Sequence, residues 1–442
     1  MRYGLIALVL VTMSFSAMDA QAGNWPNWRG PTVNGVAGEG NPPISFSETE
    51  NIKWKIKFPG SGSSTPIVWG DKMIFQTAVS TEVEQKVEPK VEEPPAEGRR
   101  RRGPPRAPAP TSPFKFNLVC LDKNTGEIIW EKTAQEAVPH EGHHPTAGYA
   151  SYSPVTDGKY IWASFGSWGL HCYDMDGNHQ WSTDLFPMNM RMAFGEGSSA
   201  ALAADKVVVQ MDHEGASKIM AFDKMTGKLA WEKDRQERTS WVTPFAVEVD
   251  GTTEVVTLAT KSIRSYDVKD GSLIWEVGGL TLNTIPMPVV GFGHIYCTSG
   301  FRGFSLMAIK LGQKGNLKDT DAISWSIDQG TPYVASPLLY NGRIYITESL
   351  KAVLSCYDAQ TGKPLFTDQK LDGLGQLYAS PVAVDGRVYI ADRRGKVLVI
   401  KDSDKFEVLA TNTLDEGFDA SPVVIGDDLY LKGSEHLYCI SK

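Results

Sequence analysis

The chain has 442 residues with 52 acidic against 44 basic side chains, a net charge of −8, and 12 Trp and 42 Gly among short alternating apolar runs. That acidic balance argues against general nucleic-acid binding, and the composition suits an all-β repeat protein. Length alone would divide the chain into two or three domains, but its internal repeats point to one ring-shaped domain.

Residues 1–22 read as a secretory leader. Arg2 is the charged start, Leu5 to Val11 the apolar run, and Ala20-Gln21-Ala22 a small-x-small cleavage site. The apolar run is too short for an ordinary membrane span, no second stretch is long enough, and no Cys near the cleavage point offers a lipid anchor. The expected product is an exported protein, periplasmic or secreted, cleaved near Ala22 and without a transmembrane segment.

Residues 23–50 form a segment ahead of the repeats. Its Trp25-Pro26-Asn27-Trp28-Arg29-Gly30-Pro31 sets two indoles among Gly and Pro, expected as a cap lying against the repeat domain.

From residue 51 on, a turn and an aromatic recur every 40 to 50 residues. Asp122 to Gly126 is followed by Trp130, Asp174 to Gly177 by Trp181, Asp223 to Gly227 by Trp231, Asp267 to Gly271 by Trp275, and Asp358 to Gly362 by Phe366. The aromatic always falls four residues after the glycine. Upstream, a Ser/Thr-Pro dipeptide opens a short apolar run, an Asn-Gly or Asp-Gly turn follows, and a second apolar run returns, as in Ser336 to Ile346 and Ser380 to Ile390. That pattern is a β-hairpin. The Asp-x-x-Thr-Gly turn joins a third strand to a fourth: its Asp bonds backbone donors, and its Gly takes positive φ. The unit is a four-stranded antiparallel meander.

Proline recurs at the first strand (Pro66, Pro154, Pro244, Pro288, Pro337, Pro381, Pro422), with Ala200 in the third unit. Pro cannot donate to a ladder, so this strand needs an unpaired edge, as the innermost strand of a propeller blade has. Eight first strands begin near Ser64, Ser153, Ser198, Thr243, Met287, Ser336, Ser380 and Ser421. The last unit stops after three strands, while Asn51 to Ile56, with Trp54, lacks the three that should precede it. The fold class is therefore an eight-bladed β-propeller, its ring closed by an N-terminal strand completing the last blade.

Residues 78–115 interrupt the first unit, acidic at the start and basic from Arg99 to Arg106 among prolines, and are expected to be a solvated, nearly neutral disordered loop. Cys120, Cys172, Cys356 and Cys439 share the third-strand register of four different units, and Cys297 lies in a second strand. Equivalent positions on different blades are too far apart for a bond, so five buried free thiols are expected.

The loops between blades and between second and third strands hold the candidate binding groups. His140, His143 and His144 form a His-Glu-x-His-His cluster, a weak candidate for zinc or copper. Met188, Met190 and Met192 are a soft-metal candidate for which packing is the favoured reading. Arg191, Glu196, His213, Glu214, Arg302, Glu348, Arg393 and Arg394 are candidates for a ligand site at a channel mouth. No Gly-x-Ser-x-Gly elbow, phosphate-binding Gly loop or Cys-x-x-Cys motif occurs, and no catalytic residue is assigned.

The Asp-x-x-Thr-Gly-x-x-x-Trp signature, as in Asp122 to Trp130 and Asp223 to Trp231, resembles the repeat of pyrroloquinoline-quinone (PQQ) proteins, the quinoprotein alcohol dehydrogenase-like superfamily. Trp25 to Pro31, Gly62 to Pro66 and the ending Leu431 to Ile440 are similar to exported BamB-like proteins. The resemblance implies an eight-bladed propeller over residues 51–442. Its dehydrogenase branch implies PQQ and Ca2+ on the channel axis, and its BamB branch a scaffold for envelope proteins. Those dehydrogenases commonly carry adjacent cysteines beside the cofactor, and no two Cys are adjacent here. The leading expectation is a monomeric, non-enzymatic binding or scaffolding module with a protein or envelope partner. A PQQ- and calcium-dependent oxidoreductase is the alternative.

Overall fold

The computed structural model describes residues 23–82 and 108–442. Residues 1–22, expected as a secretory leader, and the charged core of the 78–115 segment lie outside them. Eight sheets follow one another along the chain, each a meander from its innermost strand outward. The innermost strands are short and begin two or three residues after each expected start: Ile67–Trp69, Val155–Thr156, Ala201–Ala203, Phe245–Val249, Val289–Gly291, Leu338–Tyr340, Val382–Val384 and Val423–Ile425. Each recurrent proline thus sits just ahead of its strand rather than within it, where its missing N–H costs no ladder bond. Helix is confined, among the described residues, to two three-residue turns, Gly166–Trp168 and Arg191–Ala193. No described helix is long and apolar enough to cross a membrane.

The last blade is completed by Ile52–Lys57, which pairs antiparallel with His436–Ile440 and puts Trp54 opposite Cys439. Its indole donates to the Lys123 carbonyl in blade 1 at 3.1 Å, so the joint between the chain ends is built like the others. Trp130, Trp181, Trp231 and Trp325 donate in the same way to backbone carbonyls of the next blade, Met175, Lys224, Val268 and Ala359. Each of these indoles lies on the turn glycine of that next blade: a Cβ on Gly227 would fall 2.4 Å from Trp181. The glycine of the repeat is therefore required twice, for its positive φ and for contact with the preceding indole.

Three joints depart from this rule. Blade 7 carries Ala410, opposite Val399, at the place of the aromatic. Blade 5 lacks the Asp-x-x-Thr-Gly turn, so Trp275 of blade 4 meets no such glycine and donates instead to Glu254 within its own sheet. The substitute connection lays Gly315–Asn316 against Trp275 and Glu276 as a fifth, parallel strand. The blade 6 aromatic is Phe366, without an N–H, and it packs edge-on against Phe406.

A second belt joins the blades at the inner strands. The serine of each Ser-Pro pair accepts a backbone N–H from the preceding blade, as in Ser336 N–H to Ser380 and Ser380 N–H to Ser421, and Ser421 N–H reaches Thr65 across the closure.

In blade 1 the ladder reaches from Lys72↔Asp122 to Ser80↔Phe114. Residues 78–80 and 114–115, expected in the loop, are strand, so the insertion is shorter at both ends. Ala78 and Phe116 are buried there, and that packing extends the hairpin. All five cysteines are buried and free.

Candidate functional site

In an antiparallel meander alternate connections share an end. The tight turns therefore lie at one end of the ring, and the blade-to-blade connections and second-to-third-strand loops at the other.

From the turn end, the N-terminal segment enters the channel. Trp25 exchanges two backbone bonds with Val68 of blade 1, and Pro26 accepts the Thr156 N–H of blade 2. Trp28 donates to Thr243 of blade 4, and Asn34 makes a two-way pair with the Val290 backbone of blade 5. Arg29 donates to the carbonyls of Pro337 and Pro381 at 2.7 and 3.2 Å, in blades 6 and 7. Ala37 bonds Ala383, and Asn41 reaches Asp427 of blade 8. A stretch this short that touches seven innermost hairpins lies across the axis. The expected cap is thus a plug, inserted rather than laid on. Trp25 and Arg29 are almost fully buried. Burial pulls the Arg29 pKa down to about 9, and the guanidinium stays charged at neutral pH. Backbone carbonyls hold it, and its Nε has no partner.

At the loop end, the connection after blade 1 crosses the opening. Thr146 on it meets the Tyr378 hydroxyl, from the connection between blades 6 and 7, at 3.3 Å. Tyr378 lies under the Arg393 guanidinium, 4.2 Å from ring centre to Cζ, and Asp419 holds Arg393 through both oxygens at 2.6 and 3.1 Å. Burial raises the Asp419 pKa despite that partner. His144 is pushed down, first by burial and then by Arg393 and His143. Tyr333, stacked on Phe301 at 4.8 Å, is raised, chiefly by burial, and feels both Tyr378 and Arg191. His144, Arg191, Tyr333, Tyr378 and Arg393 therefore form a half-buried aromatic and cationic mouth. The Arg191 connection is backbone-strained: Met192 and Ala193 have φ of 53° and 50°, a conformation that tends to mark functional loops.

The other candidates are placed elsewhere. His140 bonds the Met188 carbonyl, His143 the His144 carbonyl and His144 the Thr146 hydroxyl, so the three rings take separate partners. Among the described residues no three His, Cys, Asp or Glu side chains gather to hold a metal ion. Glu196 is buried beneath the mouth, bonded by the Tyr152 hydroxyl at 2.6 Å and by Ser167 through N–H and Oγ, and burial raises its pKa. His213 is also buried: its Nδ1 accepts the Asn189 N–H, which leaves Nε2 unpartnered. Glu214 accepts from the Thr239 N–H, Glu348 holds Lys351 and Arg394 is exposed, while Arg302 lies over the Phe301 ring that stacks on Tyr333 and so borders the mouth. Met188 and Met190 pack into the core between blades 2 and 3 with Trp162 and Trp181.

Sequence reasoning missed Tyr333, Tyr378 and Asp419, and it placed Trp25 to Pro31 on the ring rather than in its axis. A signal existed: an aromatic stands one to three residues before several Ser/Thr-Pro starts, as Tyr152, Trp241, Tyr333 and Tyr378 do.

Below the Arg393–Asp419 pair lies Lys432, almost fully buried, its ammonium over the Phe58 and Phe75 rings and bonded to the Gly62 carbonyl. Burial pulls its pKa to about 7 against the opposing pull of Glu416 and Asp419. Between that value and the unfolded one, the unfolded chain binds a proton that the folded chain does not. Stability from this group is thus full above about pH 10.4, falls by up to about 1.4 kcal/mol per pH unit as pH drops, and levels off below pH 7. A Lys432→Met variant should gain on the parent as pH falls from about 9 to 7. Denaturant melts at the two pH values check this, and an unchanging difference contradicts it.

No curated protein sequence matches the chain. The structure resembles BamB from Moraxella catarrhalis (15% identity, TM-score 0.56, 87% of this chain and 98% of that one). It also resembles the quinohemoprotein alcohol dehydrogenase of Comamonas testosteroni (9% identity, TM-score 0.59, 95% and 81%). A computationally designed protein, Ika8, shares the fold at 10% identity and TM-score 0.52 over 76% of this chain and 95% of that one. Likeness at these identities establishes the propeller and no reaction. The family model described as outer membrane protein assembly factor BamB matches residues 115–367, more than half of the chain. With its eight blades and their indole-on-glycine joints, the chain belongs to that family of PQQ-like propellers.

Proposed function

We propose that the chain is an exported binding and scaffolding module of the periplasm or cell envelope, monomeric, whose protein partner docks on the loop end of the ring. The observation that carries this reading is the plug: Trp25, Trp28 and Arg29 fill the axis from the turn end, leaving the half-buried mouth around Arg191, Tyr333, Tyr378 and Arg393 as the binding surface. Aromatic and arginine side chains are the usual anchors of protein interfaces. The acidic net charge disfavours nucleic acid as the partner.

The alternative is a quinoprotein oxidoreductase, in line with the fold shared with quinohemoprotein alcohol dehydrogenase. The residues present do not fit a Ca2+-bound quinone on the axis. The side chains there are two indoles and a guanidinium, and no described group of three metal-ligating side chains forms. We derive no step through that cofactor.

Two measurements, one in cells and one on the purified mature protein, separate the readings. A photo-crosslinking residue at position 378 should capture a defined envelope protein in cells, capture should be lost with Arg191→Glu, and the same residue at exposed position 225 should capture none. Titration with PQQ plus Ca2+ should leave the melting temperature unchanged. Ligand at a hundredfold excess over its dissociation constant would add about 2.7 kcal/mol of stability. Such a shift, with dye-linked alcohol oxidation, reverses the ranking.

A further inference from the structure

Blade 2 carries a histidine pair outside the mouth and the plug. His171 lies in the third strand Leu170–Asp174, and His179 and Ser182 lie in the fourth strand His179–Thr183. The register sets His171 directly opposite Ser182. Residues 179 and 182 are three apart, which in a regular strand points them to opposite faces. The ladder shifts between Cys172 and Tyr173, and this bulge brings His179 back to the face of Ser182. As a result one hydroxyl oxygen, Ser182 Oγ, is met by two ring nitrogens, His171 Nδ1 at 2.8 Å and His179 Nε2 at 2.7 Å.

The outer partner of His171 fixes its tautomer. Its Nε2 lies 3.0 Å from the Trp168 carbonyl oxygen, which only accepts. Nε2 therefore carries the proton, and the Nδ1 lone pair faces Ser182. An imidazole whose far N–H is held by a backbone carbonyl, with its near nitrogen free, is the arrangement found around metal-ligating histidines. The ring is 4% exposed and has little room to turn, and a Cβ on Gly169 would press on it at 3.0 Å. His179 is exposed, so the outer side of the pair opens to solvent.

The same bulge recurs in other blades without the same groups. The residues at the His171 and Ser182 positions are Val119 and Glu131 in blade 1, Met220 and Glu232 in blade 3, and Arg264 and Glu276 in blade 4. In blade 4 the pair is an ion pair at 3.1 Å. Blade 2 thus replaces structural side chains with two imidazoles converging on one point.

We propose that His171 Nδ1 and His179 Nε2 form a two-imidazole site for a divalent transition ion of the copper, nickel or zinc class, with Ser182 and water completing its coordination. Imidazole nitrogen selects these ions over calcium and magnesium. Binding replaces the Ser182-to-His171 hydrogen bond with a metal–nitrogen bond and leaves the protonation of the buried ring unchanged, while the exposed His179, whose Nε2–H donates to Ser182 because the one hydroxyl proton is committed to His171, shifts that proton to its Nδ1.

The test is titration of the untagged mature protein with Cu2+, read by calorimetry and by electron paramagnetic resonance. The expected result is one ion per chain with hyperfine structure from two imidazole nitrogens. His179→Gln and His171→Gln should each weaken binding at least about tenfold, roughly 1.4 kcal/mol, and reduce the signal to one nitrogen. His143→Gln/His144→Gln should leave both readouts unchanged. Absence of binding by the parent at millimolar Cu2+, unaltered affinity in His179→Gln, or loss on changing His143 and His144 instead would overturn the assignment. His179 is exposed, so its variant decides the matter even if the His171 variant fails to fold.

Discussion

Removing residues 23–57 should leave no folded ring. The deletion takes Ile52–Lys57 from the last blade and exposes the His436–Ile440 edge that it covers. It takes the Trp54 indole from the Lys123 carbonyl and from the Gly126 turn of blade 1. It also removes Trp25 and Phe46, both buried in the largest apolar cluster of the molecule, and uncovers Phe58 beside them. Loss of one buried aromatic costs about 3–5 kcal/mol. Several such losses together exceed the roughly 5–15 kcal/mol by which a domain is stable. The expected outcome is loss of the cooperative thermal transition and elution as aggregate. A rearranged chain isolates the closure strand: it begins at Phe58 and carries residues 48–57 after Lys442 through a glycine-containing turn. It restores blade 8 without the plug and should recover a cooperative, lower-melting transition. If the simple deletion keeps the parent's melting temperature, ring closure by the N-terminal strand is wrong.

Asp212→Ala should destabilise by about 3–5 kcal/mol, the range for leaving one member of a buried ion pair uncompensated. Asp212 and Arg235 meet through two bonds at 2.7 and 3.0 Å with both side chains wholly buried. Gln210 and Ser240 also donate to Asp212, while Arg235 donates to Thr257 and to the Tyr266 hydroxyl. The next two residues after Asp212 hold the mouth: His213 Nδ1 accepts the Asn189 N–H, and the Glu214 N–H donates to the Asn189 carbonyl, two residues before Arg191. The alanine variant should therefore also lower partner capture at position 378. Replacing both members with apolar residues of similar size, Asp212→Leu with Arg235→Met, removes the buried charges together and should cost far less. Denaturant midpoints of the single and double variants decide it. A single variant as stable as the double would show that the pair carries no such load.

The histidine, arginine and glutamate candidates illustrate how unevenly the site could be read from residues. His144, Arg191 and Arg393 do meet at the mouth because they lie on connections whose end of the ring follows from the repeat. Glu196 and His213 lie on connections at the same end and are buried there, whereas His140 stays exposed and turns to the Met188 carbonyl, because loop packing, which has no period, decides depth.

By itself the sequence determined the eight blades, the starts of their innermost strands within two or three residues, and closure of the last blade by the strand that carries Trp54. Each rests on a repeated local requirement: positive φ at the turn glycine, no donor at proline, an aromatic at fixed spacing. Tertiary structure alone decided that Trp25 to Asn41 is drawn into the axis, that Tyr378 and Thr146 face each other from connections 232 residues apart, and that a bulge in blade 2 aims His171 and His179 at one oxygen. Those contacts occur once and between distant segments. They depend on which surfaces are left to bury after the ring has closed, and no local pattern encodes that.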